Sequence, residues 1–221
     1  MLGPRSILRL LSLLALVAAA CRGRSATAAP RGSARDAPPR SARAPRHDAP
    51  EVLVEVLPPG AQVSLDGRPL GQGGRAVPAP PPGAHVLRVE ADGYEPSVQA
   101  LPEGSLAGAR VGAALRPAGL EGVRALDLDD PEGLAQAAAH LAGRGGRPND
   151  AIAYAERAIQ LEPRTALGHR ALGDARAALG ETPRAVSSWA EYLRLAPGAP
   201  DAGAVAHRIE AARGDVAVPA R

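Results

Sequence analysis

The apolar residues of this chain change their spacing part-way along, and that change fixes what each half can fold into. From Glu51 to about Pro117 they alternate. Val52, Val54 and Val56 interleave with Leu53 and Glu55, Val63 and Leu65 with Gln62, Ser64 and Asp66, and Leu87, Val89 and Ala91 with Val86, Arg88 and Glu90. A period of two belongs to strands that bury one face. Pro58-Pro59-Gly60, Asp66-Gly67, Pro81-Pro82-Gly83 and Asp92-Gly93 separate the runs, with the residue types that tight turns require. Alternation continues through Val98 and Ala100, then Ala109, Val111, Ala113 and Leu115, so this segment is expected to form a small antiparallel β-sandwich.

From Asp130-Pro131 the pattern is helical, opened by an acidic N-cap and a first-turn proline. Gly146, Ala151 and Pro163 recur 34 residues later as Gly180, Ala185 and Pro197, and Arg147-Pro148 to Ala151 parallels Thr182-Pro183 to Ala185. Small residues let paired helices approach closely, an aromatic fills the wider gap, and proline stops the second helix of each pair. A last helix, about Asp201 to Arg213, has Val205 and Ile209 on one side and reads as a solvating cap.

Two family resemblances rest on these residues. The Pro58-Pro59-Gly60-Ala61 turn followed by Val63, then Leu65-Asp66-Gly67, Pro82-Gly83-Ala84-His85 and Gly93-Tyr94 together resemble the PEGA domain, a small β-sandwich of prokaryotic surface proteins. Pro59 stands where that motif has glutamate, and Gln72 to Pro82 is longer and richer in Gly and Pro than the family's connection. The resemblance implies a non-catalytic surface module and makes Tyr94 a packing residue. The 34-residue period, with Leu172-Gly173, Trp189 and Pro197 in the second copy, resembles the tetratricopeptide repeat. The first copy is degenerate, with Ala139 in place of Gly and Ala155 at the aromatic position. That resemblance implies an inner groove lined by Gln136, His140 and Arg144 of one helix and Leu167, Arg170 and Asp174 of another, suited to an extended peptide or protein terminus. The same residues also fit an ordinary solvated helix face.

Cys21, the only cysteine, ends the apolar run Ile7 to Ala20 behind Arg5 and Arg9, and this resembles a bacterial lipoprotein signal. Ordinary secretory cleavage after Ala18 or Ala20 is the alternative. Leu10 to Ala20 is too short to cross a bilayer core of about 30 Å, so the run reads as a removed signal. Residues 22 to 50 hold seven Arg among Ala, Pro, Ser and Gly, a composition that cannot offset the entropy of ordering. They read as a basic tether, attracted to anionic surfaces or simply solvated. With 17 Arg against 21 acids, residues 51 to 221 carry a net charge of −4, so the basic balance belongs to the N-terminal fifty.

The expected organisation is a signal over 1–20, a tether over 21–50, a sandwich over 51–117, a short polar connector over 118–130, two repeats with a cap over 131–214 and a tail over 215–221. The sandwich and the repeats are expected to fold as separate units. Asp66, His85 and Asp92 could be assembled into a polar constellation, but an acid before glycine usually serves a turn. His140 and His169 lack metal-ligand spacing, and no nucleophile-and-base or phosphate-loop motif is present. The sequence therefore points to a non-catalytic, lipid-anchored protein of the bacterial cell envelope, on the periplasmic or outer-membrane side. Its expected partners are an envelope protein or peptide at the repeats and the membrane through lipid on Cys21. No cofactor, metal or nucleic acid is expected. Binding of wall polysaccharide by the sandwich is the alternative function.

Overall fold

The computed structural model describes residues 50–216. The signal, Cys21, the tether up to residue 49 and the last five residues lie outside the described part.

Seven strands form two packed sheets. They are β1 (Glu51–Leu57), β2 (Gln62–Leu65), β3 (Arg68–Gln72), β4 (Arg75–Pro78), β5 (Gly83–Glu90), β6 (Ser97–Gly104) and β7 (Arg110–Ala114). One sheet has the order β4-β1-β7 and the other β3-β2-β5-β6. The inward set is the one alternation predicts: Val52, Val54, Val63, Leu87 and Val89 are at most 3% exposed. Asp66 and Gly67, with φ of 50° and 77°, make the two-residue turn between β2 and β3. Both central positions are left-handed, which Gly and Asp tolerate and branched residues do not.

Three details depart from the sequence reading. All ladders are antiparallel except β1 with β7, which run parallel with Leu53 opposite Arg110. The parallel pair follows from the sandwich itself, because the chain crosses to the second sheet and back before β7 closes beside β1. Arg75–Pro78, inside the Gly- and Pro-rich stretch, is a strand on the edge of β1. Val98 and Ala100 point outward, and Leu101 is the inward residue of β6. β6 is an edge strand whose inner row is Ser97, Gln99 and Leu101, so its hydrophobicity is out of phase with its burial.

The helices are α1 (Pro131–Ala142), α2 (Pro148–Leu161), α3 (Ala166–Ala178), α4 (Thr182–Leu195) and α5 (Ala202–Val216). Asp130 caps α1 by accepting from the amides of Glu132 and Gly133 at 3.1 and 3.0 Å, with Pro131 in the first turn. Gly146 and Gly180, 34 residues apart, both take left-handed φ (59° and 76°) before α2 and α4, so the repeat in sequence is a repeat in backbone. Trp189 lies against Gly173, where an added Cβ would overlap the indole. In the first copy the equivalent pair is Ala139 and Ala155: where the first helix carries the larger residue, the second carries the smaller one. Val205 and Ile209 of α5 cover Trp189 and Tyr192 of α4, as a cap should.

The connector expected to be polar is instead part of the core. Leu120, Leu126 and Leu128 are 7–9% exposed and belong to one apolar cluster that runs from both sheets through the connector into α1, α2 and α3. Their spacing matches neither a strand nor a helix, and so carries no periodic signal.

Strand direction sets the polarity of the molecule. Pro50 and Glu51 sit beside Ala79 and Gly108, whose amides donate to their carbonyls at 2.8 and 2.7 Å. β1 runs from there to its far end, where Asp92, Tyr94 and Pro96 meet Arg147 and Asp150 of the helical region. The chain thus enters the sandwich at the end opposite the helices.

Candidate functional site

The junction between sandwich and helices is built around Tyr94. It is 8% exposed, its hydroxyl donates to Asp150 at 2.8 Å, and its ring stacks on Tyr154 with centroids 6.4 Å apart. The Arg147 guanidinium covers the same ring at 5.3 Å, packed over Gly93, whose lack of a Cβ leaves it room. Burial, reinforced by the Asp150 carboxylate, raises the Tyr94 hydroxyl pKa well above its ordinary value. Around these residues lies an open cleft of about 630 Å³, edged by Gln62, Gln72, Glu90 and Asp92. Both faces of Tyr94 are occupied, so it offers no stacking platform to a sugar ring. Tyr94 is a packing residue, as the sequence resemblance implies.

At the opposite end of the sandwich, Asp66 and His85 form a staple. The His85 ring is buried, with Nδ1 2.6 Å from Asp66 Oδ2 and Nε2 2.7 Å from the Pro81 carbonyl. Both partners are acceptors, so both ring nitrogens donate and the imidazole is held as the cation. Asp66 also accepts from the Val86 amide at 2.8 Å. The hydrogen bond between them raises the His85 pKa and lowers that of Asp66. This is turn architecture, and Asp92 stands apart from it at the other end, in the cleft.

The six residues expected to line an inner groove are divided by the structure. On α1, the His140 Nε2 is 3.2 Å from the Ala118 carbonyl, beside Gly119, and Gln136 bonds Glu132 at 3.4 Å next to connector residues Gly122 to Ala125. Val123 is half-buried against the core, so the connector covers this part of α1. Arg144 is exposed just past the end of α1. On α3, Leu167 is half-buried against the core, and Arg170 and Asp174 are tied to the cap. Arg170 Nη1 is 2.5 Å from Asp201, and Asp174 accepts from Trp189 Nε1 at 3.0 Å and from Arg208 at 2.8 Å. Tyr192 donates to Asp201 as well, which lowers the Asp201 pKa. Arg170 and Asp174 are thus one turn apart on one face as expected, yet that face is engaged with α5. Sequence spacing identifies the face; it carries no signal for what packs on it.

Sequence reasoning did not single out the other side of the helices. Glu156 and Gln160, one turn apart on α2, stand between two depressions. One, of about 430 Å³, is lined by Leu53, Glu55, Leu128, Ala153 and Arg157. The other, of about 400 Å³, is lined by Ile159, His169, Leu172, Arg176 and Ser187. Among the described residues no group of three or more His, Cys, Asp or Glu is placed to hold a metal ion.

Residues 49–102 match the family model of the PEGA domain. The matched span runs from the entry to β1 through most of β6, so β7 and the helices lie beyond it. Among solved structures, the chain is similar to the first TPR domain of Spaghetti (RPAP3) bound to an HSP90 peptide. The two are 22% identical, the match covers 40% of this chain and 69% of that one, and the TM-score is 0.37. No curated protein matches the chain. The PEGA sandwich, followed by paired helices with a backbone repeat of 34 residues, is consistent with an interaction or scaffold role.

Proposed function

We propose that the protein is a non-catalytic, lipid-anchored adaptor of the bacterial cell envelope, held at a membrane through Cys21 and docking an envelope protein or peptide on its helical array. The observation that carries this reading is the polarity of the fold. The chain enters the PEGA sandwich beside Ala79 and Gly108, and the helices are mounted on the opposite end. An anchor upstream of residue 50 therefore leaves the sandwich as a spacer and the helices as the element presented outward. Cys21, placed directly after Ile7 to Ala20, supports the anchor, and a single acyl chain binds a membrane only reversibly, so the basic tether supplies a second attraction.

The test is fractionation of cell envelopes. Wild type is expected in the detergent-soluble membrane fraction with lipid mass on Cys21, and Cys21→Ser in the aqueous fraction with unchanged circular dichroism. A wild-type chain that starts after residue 21 and carries no lipid rejects the anchor. Capture from envelope extract with the full Cys21→Ser chain as bait, followed by crosslinking, tests the adaptor role; a partner crosslinked only to residues 50–117 rejects docking on the helices.

A further inference from the structure

The two depressions flanking Glu156 and Gln160 form one continuous groove, and we infer that it is the docking surface of the array, taking an extended peptide with aliphatic side chains at positions i and i+4 and a cation at i+2. This rests on the adaptor reading above and names its surface and the chemistry of its partner. The side expected from sequence to dock is already engaged, by connector residues Ala118 to Ala125 at α1 and by α5 at α3. The α2–α4 side carries no such cover.

The geometry of the groove selects an extended occupant. Its floor is aliphatic on both sides of α2, from Leu53, 43% exposed, with Leu128 and Ala153, across to Ile159 and Leu172. The saddle between these floors is the width of one helix, about 10–12 Å with side chains. An extended chain advances about 3.3 Å per residue and points residues i, i+2 and i+4 to the same side. Side chains four positions apart are then about 13 Å apart, enough to straddle α2 and enter both depressions. The residue between them faces the saddle.

Charge fixes that central residue. Both guanidinium groups on the rim have partners: Arg157 with Asp129 at 2.6 Å and the Leu128 carbonyl at 2.9 Å, Arg176 with Ser188 at 3.1 Å and Glu156 at 3.2 Å. Glu55 and Glu191 are likewise held, by Arg110 and Arg194. Glu156 contacts Arg176 through Oε1 alone, and its side chain is 49% exposed, so Oε2 faces outward from the saddle. Gln160, exposed one turn further along, makes no hydrogen bond among the described residues and presents both a donor and an acceptor to a passing main chain. A lysine or arginine at i+2 matches Glu156, and an acid there is repelled.

The experiment uses the full chain with Cys21→Ser and a dye-labelled, end-blocked probe peptide Ser-Gly-Leu-Ser-Lys-Ser-Leu-Gly-Ser, titrated by fluorescence anisotropy. Saturable binding is expected, weakened at least tenfold when the probe's lysine is replaced by glutamate, and weakened to the same extent by Glu156→Gln and by Leu53→Ser. Arg164→Ser, exposed and away from the groove, is expected to bind as wild type. Absence of saturable binding, equal binding of the glutamate probe, or unaltered binding by Glu156→Gln overturns the assignment. The adaptor reading fails separately: if the partner captured from envelope extract is retained by Glu156→Gln and lost on Arg144→Glu, docking on the helices stands and the groove is wrong.

Discussion

Tyr154, in the middle of α2, donates its hydroxyl hydrogen to the main-chain carbonyl of Leu115, the residue after β7, at 2.6 Å. The bond is fully buried and joins a helix of the repeat to the end of the sandwich. With Tyr94 stacked on the same ring and the connector leucines beneath, the two halves share one core.

We therefore expect the sandwich and helices to unfold together. Urea unfolding followed by Trp189 fluorescence and by far-UV circular dichroism should give coincident transitions. Tyr154→Phe leaves the Leu115 carbonyl buried without a donor and should cost about 1–3 kcal/mol. Residues 118–216 expressed alone should expose the Tyr154 and connector surfaces and fail to reach native helicity. Two separated transitions would restore the independent units that the sequence suggests.

The Asp66–His85 staple makes a pH-dependent contribution of definite sign. The folded pKa of His85 is raised, so its contribution is complete below the ordinary histidine range and is lost as pH rises through the raised value. The Asp66 pKa is lowered, so its contribution is complete above the ordinary carboxylate range and is lost as pH falls through the lowered value. The stability difference between wild type and Asp66→Asn should therefore form a plateau bounded by these two titrations and shrink on either side. A difference independent of pH across both ranges rules out the charged pair.

How much of this was legible in sequence depended on how local the determining contact is. The Asp130 cap, the Asp66-Gly67 turn and the Gly146 and Gly180 repeat are decided within a few residues, and each reads directly from the chain. The parallel pairing of β1 with β7 joins residues more than fifty positions apart, and neither strand's own alternation distinguishes parallel from antiparallel. The connector leucines were missed because an irregular segment buries side chains without a period. For Arg170 and Asp174, the helical face is legible and its partners are not, because Asp201 and Arg208 reach it only once α5 packs on α4. The α2 groove was missed because Leu53 reads as the outward residue of a strand, and its proximity to Glu156 is purely tertiary.

Arg170 provides a test of that last placement. On a free helix face, Arg170→Glu should leave stability unchanged. Set against Asp201 at 2.5 Å and Asp174 at 3.8 Å, it instead puts a third carboxylate among two. A loss of about 1 kcal/mol is expected, with faster proteolysis of α5. Arg170→Glu combined with Asp201→Arg should recover part of it.

The contact between Gly173 and Trp189 allows the repeat logic to be tested by substitution alone. Gly173→Ala places a methyl inside the indole, and because Trp189 is held from behind by Val205 and Ile209, the ring has little room to retreat. Overpacking of this kind should cost about 1–3 kcal/mol. Trp189→Ala empties the site and breaks the bond to Asp174, with an expected cost of about 3–5 kcal/mol. The double variant, however, reproduces the Ala139 and Ala155 pair of the first copy. Without the indole, the methyl at residue 173 meets no obstacle and gains the helix propensity of Ala over Gly, about 1 kcal/mol. The double variant should therefore be more stable than Trp189→Ala alone, with a coupling of at least about 1 kcal/mol in a double-mutant cycle measured by urea unfolding. Strict additivity would mean that Gly173 is not selected by the indole, and that the exchange of sizes between the two copies has another cause.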